Sequence, residues 1–542
     1  MKSKWAIFLL AFVVVLSLAA CNSKDSDSEI TYDSENWDPF TPYDEEVSFT
    51  LGRQGVAGNN LPDGDTLEDN AFLKYVEEKL NIKVKYEFNV EDGDAYRQKV
   101  NLTISSGDIP DVMIVDEAQF RSLVESDMLA DLTDAYEKSA SPLIKEYYSS
   151  FEGHVLDRTT IDGKIMALPD TNIAGTHQLL WIRKDWLEKL NLNLPSTLDE
   201  VLEITKAFVE NDPDGNGKDD TVGLLGDSNV TLDGGFFTLD PIFAAFGSFP
   251  GYWMEDANGK VVYGSTTPET LEALTKVREM YADGLIDKEF VTRKWDDNAS
   301  LVASGKAGIL FAPWFAGWML SDSVKNNPDA DWIAVTAPLD SNGKRNVASP
   351  VPSGQYLVVR KGYEHPEAVV KALSVQYEGL RLKDPDAVEL YKGLGVSWLN
   401  WPLNLQLNYK DVVARDYIAL KEAIEAKDPS TLAPDQVEKY NSILINLEDP
   451  KKDVSHYANA LANYVGGSEV GSEKLNYVYP VFYGQTKTIS SRGANLEKLE
   501  SEAFLKIITG AEKIDAFHNF VSEWEKIGGK QIISEIEAEI NN

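Results

Sequence analysis

Nine consecutive residues, Asp212-Pro-Asp214-Gly-Asn216-Gly-Lys218-Asp-Asp220, place oxygen donors at alternate positions along a short polar loop. Alternate oxygens on a curled backbone can converge on one hard cation, and Gly217 stands sixth from Asp212, where a calcium loop needs its sharp turn. The backbone carbonyl of Lys218 falls at the seventh position as a further ligand, with the ammonium pointing away. Position twelve is Gly223 rather than Glu, so no bidentate carboxylate closes the ring from that end. The expected cofactor is a weakly held, structural Ca2+ on Asp212, Asp214, Asn216, Lys218 and Asp220, its sixth ligand being Thr221, water or another residue. The competing reading is a solvated acidic turn without an ion.

Cys21 is the only cysteine, which excludes a disulfide framework and a Cys-based metal site. It follows Lys2 and Lys4, an apolar run from Trp5, and small residues at Ala19 and Ala20, the pattern of a secretory leader over residues 1–20. The run falls short of the roughly 20 apolar residues that a membrane-spanning helix needs. Leu-Ala-Ala-Cys resembles the bacterial lipobox, which implies that Cys21 is lipidated and becomes the new N-terminus. Residues 21–45 are rich in Ser, Asp and Glu and poor in aliphatics, so they read as a flexible tether.

Familiar catalytic constellations are missing. The five histidines are scattered, and neither HExxH, GxSxG nor GxxxxGK[ST] occurs. A pair of carboxylates could still serve a glycosidase, since 88 acidic residues are present. The formal charge of −37 makes nucleic acid and anionic lipid poor partners. With 43% hydrophobic residues over 542 positions, the chain can build more than one core.

The elements that must position these residues follow from periodicity. Val47, Phe49 and Leu51 alternate with polar residues as in a strand, and Phe72, Leu73, Val76 and Leu80 are spaced as on a helix. IKVKYEFNV reads as a strand, Tyr96, Val100 and Ile104 as a helix face, and the continuous apolar DVMIV as a buried parallel strand. This alternation is a doubly wound α/β pattern. A second set opens with QLLWIRKDWLEKL, a strand running into a helix, and continues through a helix stripe on Leu198, Val201, Leu202, Thr205 and Phe208 and the strands KAGILFAPW and DWIAVTAPL. GQYLVVRKG with a helix from about Pro366 resumes the opening pattern. Phe517, Phe520, Val521, Trp524 and Ile527 form a helical stripe expected to be core packing.

Several segments, in order, resemble family 1 of the extracellular solute-binding proteins of ABC importers, in its Gram-positive carbohydrate-binding lipoprotein group: LAAC, SGDIPDVMIVD, DGKIMALP, LLWIRKDWLEKL, DPDGNGKDDTVGL, KAGILFAPW and ITGAEKIDAFHNFVSEWEKIGGKQI. The resemblance implies a type II, maltose-binding-protein-like α/β fold of two discontinuous lobes that close like a hinged trap. Lobe 1 is expected over residues 46–168 and 340–385, and lobe 2 over residues 169–339 and 386–542, with the C-terminal region adding helices. Relatives with a similar acidic loop can close it with an acid where Thr221 stands here.

The resemblance also implies that Trp314 faces the cleft and that Arg53 meets ligand from the first loop; Trp318 is a neighbour of Trp314 that the core could equally claim. Asp116 ends a buried strand, where ligands of open α/β sheets bind, and would equally serve as a helix cap. Trp181 and Arg183 share one face of their strand, so either that face or Leu180 and Ile182 looks into the cleft. Tyr479, Phe482 and Tyr483 are aromatics that the fold could bring to the rim of lobe 2. The expected function is a lipid-anchored, monomeric, non-enzymatic receptor on the extracellular face of the cell membrane, passing an oligosaccharide to ABC permease subunits. Its rivals are a surface glycoside hydrolase or lyase and an adhesion or peptide-capturing lipoprotein without transport.

Overall fold

The computed structural model describes residues 37–55, 61, 64–172, 177–231, 235–349, 351–391 and 398–540. The leader, Cys21 and residues 21–36 lie outside the described residues.

A five-stranded sheet runs in the order Ile82–Val90, Val47–Gln54, Val112–Val115, Tyr356–Val359, Leu168–Pro169. The first three strands are parallel and the last two alternate in direction. Side-chain alternation divides the sheet between two cores. Phe49, Leu51, Ile114 and Leu357 meet the helices Ala71–Leu80, Pro142–Ser149 and Pro366–Leu380, while Met113, Val115, Tyr356 and Val358 face the helices Gly93–Ser106 and Glu117–Glu125. Local chemistry sets the helix ends. Asn70 caps the first helix by accepting from the amides of Phe72 and Leu73, and Asn81 ends it in a left-handed conformation. At Gly52 a β-bulge brings the Phe88 ring so close that a Cβ would lie 2.4 Å from it, so any larger residue would have to displace the ring.

The second half is built on a smaller antiparallel sheet in which Leu179–Arg183 lies between Ile309–Ala312 and Trp332–Val335. Leu180 and Ile182 enter one core with Phe208, Phe243 and Trp524, whereas Leu179 and Trp181 enter another with Leu310, Trp332 and Leu461. The C-terminal stripe behaves as expected, with Phe517, Phe520 and Trp524 all buried.

Three segments connect the halves and are strapped together. Thr171 donates its amide to the Gln406 carbonyl and Asn172 donates to that of Pro352, both at 2.8 Å, and the amide of Asn408 reaches Thr171 Oγ1 at 2.7 Å. The packing departs from the expected boundaries in three places. Trp37 is already docked on the first half, its carbonyl accepting from Ser139 Oγ at 2.7 Å and its ring lying 4.6 Å beneath Lys138 Nζ, so the tether ends before residue 37 rather than at 45. Arg345–Ala348, expected in lobe 1, pairs in parallel with Leu475–Val478 of the second half. Trp401, Leu403, Leu405 and Leu407, expected in lobe 2, fill the first core as an extended segment along the helix Pro366–Leu380, tied by Tyr377 Oη to the Leu405 carbonyl at 2.7 Å. No described helix is long and apolar enough to cross a membrane.

Candidate functional site

The strand Ile309–Ala312 stops at Pro313, which cannot continue a ladder, and the chain turns at once into Trp314–Ala316 and the short helix Gly317–Leu320. Trp314 therefore emerges beside Leu179, where the chain enters the second half from the first. Around it stands an aromatic shelf. The Trp314 ring centroid lies 5.6 Å from Phe315 and 6.0 Å from Trp318, and Phe236 links Phe315 at 5.6 Å to Trp295 at 6.2 Å. Trp295 and Trp318 are 49% and 48% exposed, and the other three are half-buried. A group of large exposed rings is costly in water unless it serves a ligand or a partner. Sugars present apolar ring faces that suit such plates. Close packing supports the shelf from below, since a Cβ on Gly466 would come within 2.5 Å of the Trp314 carbonyl.

Two expected contacts are instead part of this support. Trp181 is fully buried, and its indole donates to the Pro313 carbonyl at 3.2 Å, holding the turn that carries Trp314. Arg183 is 1% exposed; its guanidinium pairs with Asp185 at 2.5 Å and stacks over Trp186 at 4.7 Å. Neither they nor Leu180 and Ile182 look into a cleft, because their strand is the central one and both its faces are covered.

Arg53 is likewise a buried clasp rather than a ligand contact. It is 2% exposed and donates to the carbonyls of Trp401 at 2.8 Å and of Leu399 and Pro402 at 3.3 Å, with its guanidinium 5.5 Å from the Tyr86 ring. Asp116 takes the capping role: it accepts from the Gln119 amide at 2.9 Å while the Gln119 side chain accepts from the Asp116 amide at 3.2 Å.

Tyr479 and Tyr483 sit where the halves face each other. Tyr479 is 40% exposed, stacks on His154 of the first half at 5.5 Å, and its Oη accepts from Lys410 Nζ at 2.5 Å. Tyr483 donates to the Ser349 carbonyl at 3.3 Å and lies 5.9 Å from the Arg158 guanidinium; burial pushes its phenol up to about 12. Beside it is a cavity of about 220 Å3 lined by Tyr252, Trp253, Gln485 and Glu497 among others. Arg158 is held by Glu117, which also takes Arg121 at 3.0 Å, and Arg121 reaches Glu539 of the C-terminal helix at 3.9 Å. Phe236, Trp295, Phe315, His154 and Lys410 were not among the expected residues. PWFAGW was itself a legible cluster, whereas the others are single residues brought in by long-range packing.

The acidic loop is curled as its spacing requires, with Gly215 and Gly217 at φ 72° and 73°. Asp212 accepts from the amides of Asn216 and Gly217 at 3.2 and 2.9 Å, and the Asn216 side-chain amide bridges Asp214 at 2.7 Å and Asp220 at 2.8 Å. Lys306 neutralises Asp220 at 3.0 Å. The neighbouring Asp214 carboxyl holds Asp212 below the usual carboxylate range, while burial, followed by the nearby Asp212, pushes Asp214 above it. Among the described residues no three Asp, Glu, His or Cys side chains converge as ready-made metal ligands. The donor set nonetheless fits a hard cation in kind. The Asn216 amide occupies the point shared by Asp214 and Asp220, where a half-turn would present its oxygen, and the buried Thr221 Oγ1 next door has no partner.

Comparisons with known proteins agree with this architecture. The family model described as bacterial extracellular solute-binding protein matches residues 58–375. The polygalacturonan/rhamnogalacturonan-binding protein YtcQ of Bacillus subtilis is 25% identical over 99% of this chain and 99% of its own. The fructooligosaccharide ABC transporter substrate-binding protein FusA of Streptococcus pneumoniae is 27% identical over 70% of this chain and 69% of its own. A solved FusA EF-hand mutant in complex with fructo-nystose superposes with a TM-score of 0.56 at 18% identity, covering 91% of this chain and 99% of that one. An extracellular solute-binding protein from Bifidobacterium longum subsp. infantis gives a TM-score of 0.61 at 18% identity, over 92% of this chain and 98% of that one.

Proposed function

Because the chain belongs to the bacterial extracellular solute-binding proteins, a two-lobed fold, we propose that it is the oligosaccharide receptor of an ABC importer, capturing its ligand between the halves against the Trp314 shelf. The observation that carries this reading is the ring cluster Trp314, Phe315, Trp318, Phe236 and Trp295, two of them exposed and three half-buried, at the end of the small sheet where the chain crosses over. Flat indole faces stack on sugar rings, and Tyr479, Tyr483, His154 and Lys410 supply hydroxyl-directed polar groups from both sides of the gap. Closure would bring them onto one ligand, since three strapped segments form the only covalent connections between the halves among the described residues. The printed specificities of YtcQ and FusA support a sugar of more than one residue.

The receptor works without chemistry on the sugar and acts as a monomer. It is held at the extracellular face through a lipid on Cys21 and delivers its cargo to separate permease subunits. Ca2+ on Asp212, Asp214, Asn216, the Lys218 carbonyl and Asp220 pins the loop after the helix Leu198–Glu210, and its charge offsets the repulsion among the three carboxylates. Titration calorimetry of the mature protein against neutral and acidic oligosaccharides, with chromatography of the recovered sugar, tests the reading. Intact sugar bound one to one at the shelf supports it, and cleaved products overturn it.

A further inference from the structure

Two polar side chains are buried where the chain first enters the second half, and the protein leaves both short of partners. Arg345 opens the strand Arg345–Ala348, whose alternation turns Arg345 and Val347 inward, and the register with Leu475–Val478 sets Val347 beside Tyr477. His177, two residues before the strand Leu179–Arg183, packs edge-on against Tyr477 with ring centroids 6.1 Å apart. His177 and Arg345 thus reach the same buried face of this parallel pair, because Arg345 and Val347 point to one side. The helix Asp240–Ala245 packs against the same strand.

His177 is 7% exposed, and neither of its ring nitrogens has a hydrogen-bond partner. Arg345 is 4% exposed; Nη1 donates to the Ala337 carbonyl at 3.0 Å, Nε has no partner, and the guanidinium makes no ion pair among the described residues. Arg183 and Arg53, buried to the same degree, are compensated by Asp185 at 2.5 Å and by three carbonyls respectively. Asp240 acts on Arg345 only from beyond ion-pair distance, and its carboxylate accepts from Gln178 Nε2 at 3.2 Å and from Thr238 Oγ1. Burial pulls Arg345 down to about 9 against the opposing pull of Asp240, and burial followed by Arg345 pushes His177 down to about 3. A guanidinium only donates, and a neutral imidazole keeps one N–H. Buried polar groups and charges are rarely left in this state, and the missing partner is an acceptor that carries negative charge.

We infer that His177 and Arg345 hold one small inorganic anion, of chloride's size, between the Nε–H edge of the guanidinium and the imidazole N–H. The burial of both side chains leaves room for an ion rather than a sugar. Bound there, the anion joins the segment that precedes Leu179–Arg183 to the strand that leads into Ser349 and Pro352, two connections between the halves that Asn172 already links through the Pro352 carbonyl. The ion is a structural part of the crossing, and its site stands independently of the receptor reading.

Thermal melts of the mature protein, with sodium chloride exchanged for the bulkier sodium gluconate at fixed ionic strength, test the site. Chloride should raise the wild-type melting temperature in a saturable way, as a ligand that binds only the folded state does. Arg345→Met removes the buried charge, so that variant should melt at or above chloride-free wild type and be indifferent to chloride. His177→Phe keeps a ring against Tyr477 without a donor and should raise the half-saturating chloride concentration about tenfold or more, which decides the matter if Arg345→Met fails to fold. Crystals grown in bromide should show an anomalous peak between the two side chains in wild type. A wild-type melt indifferent to the anion overturns the site, as does an unchanged chloride response in either folded variant. A chloride-indifferent wild type whose binding of trigalacturonate is lost in Arg345→Met would also overturn it, by giving the guanidinium to a sugar carboxylate. Each of these failures leaves the receptor reading standing.

Discussion

Replacing Arg53 by Met separates a structural clasp from a ligand contact. In the structure the guanidinium is buried and serves three carbonyls, those of Leu399, Trp401 and Pro402, in the segment that leads into the third crossing. Met keeps the apolar stem but removes every donor. A buried carbonyl left without its hydrogen bond costs about 1–3 kcal/mol. The bond to Trp401 is well formed and the two at 3.3 Å are weaker, which puts the loss at about 3 kcal/mol. For a cooperative unit of roughly 150–250 residues each kcal/mol moves the melting temperature by about 2–4 °C, so the first transition should fall by roughly 6–12 °C. Sugar affinity below that temperature should stay within about threefold, or ~0.7 kcal/mol. Differential scanning calorimetry and titration calorimetry on the same preparation read both quantities. An unchanged melt with affinity lost more than tenfold would refute the clasp and restore Arg53 to the ligand site.

Glu500 is buried in the second half, where desolvation lifts its carboxyl from 4.5 to about 7 despite bonds from Ser265 at 2.6 Å and Tyr263 at 2.9 Å. The folded state then keeps a proton that the unfolded chain releases, so stability should fall as pH rises from about 4.5 to about 7. Glu500→Gln should flatten that slope and exceed wild type by about 3 kcal/mol at pH 8; parallel pH profiles of urea unfolding would exclude this. Ca2+ at about 100 times its dissociation constant should stabilise the protein by about 2.7 kcal/mol through mass action, an increment that Asp214→Ala abolishes without weakening sugar binding. A melt indifferent to chelator would leave the loop as a bare turn. Wild type should partition with membranes and carry fatty acid on Cys21, whereas Cys21→Ala should be released or misprocessed; an unmodified mature N-terminus at another residue, seen by mass spectrometry, would end that reading.

The strands of both halves were readable because burial leaves a local mark: Phe49 and Leu51 alternate, DVMIV is a continuous apolar run, and the helices Leu198–Glu210 and Ala516–Trp524 carry stripes at helical spacing. The shelf was half readable, since Pro313 ends a strand and Trp314 must turn away from it, but Phe236 and Trp295 arrive from distant segments with no local signal. Trp181 and Arg183 misled because a strand shows its periodicity without showing whether one face or both are covered. Arg53 misled for a related reason, as its partners are main-chain carbonyls about 350 residues away, and a carbonyl is present at every position. Trp401, Leu403, Leu405 and Leu407 do alternate as a strand would; the expectation of C-terminal helices overrode a pattern that the fold uses to build the first core.

The central claim is that the Trp314 shelf stacks a saccharide between the halves. Titration calorimetry of Trp314→Ala against an oligosaccharide that wild type binds, paired with thermal melts, tests it most directly. A ring that forms part of an open wall leaves little closed cavity when removed, so the variant should lose about 2 kcal/mol of binding, roughly thirtyfold, while its melting temperature moves by no more than a few degrees. Unchanged affinity would contradict the account, as would a collapse in the melt of the size that truncating a core tryptophan produces, about 3–5 kcal/mol.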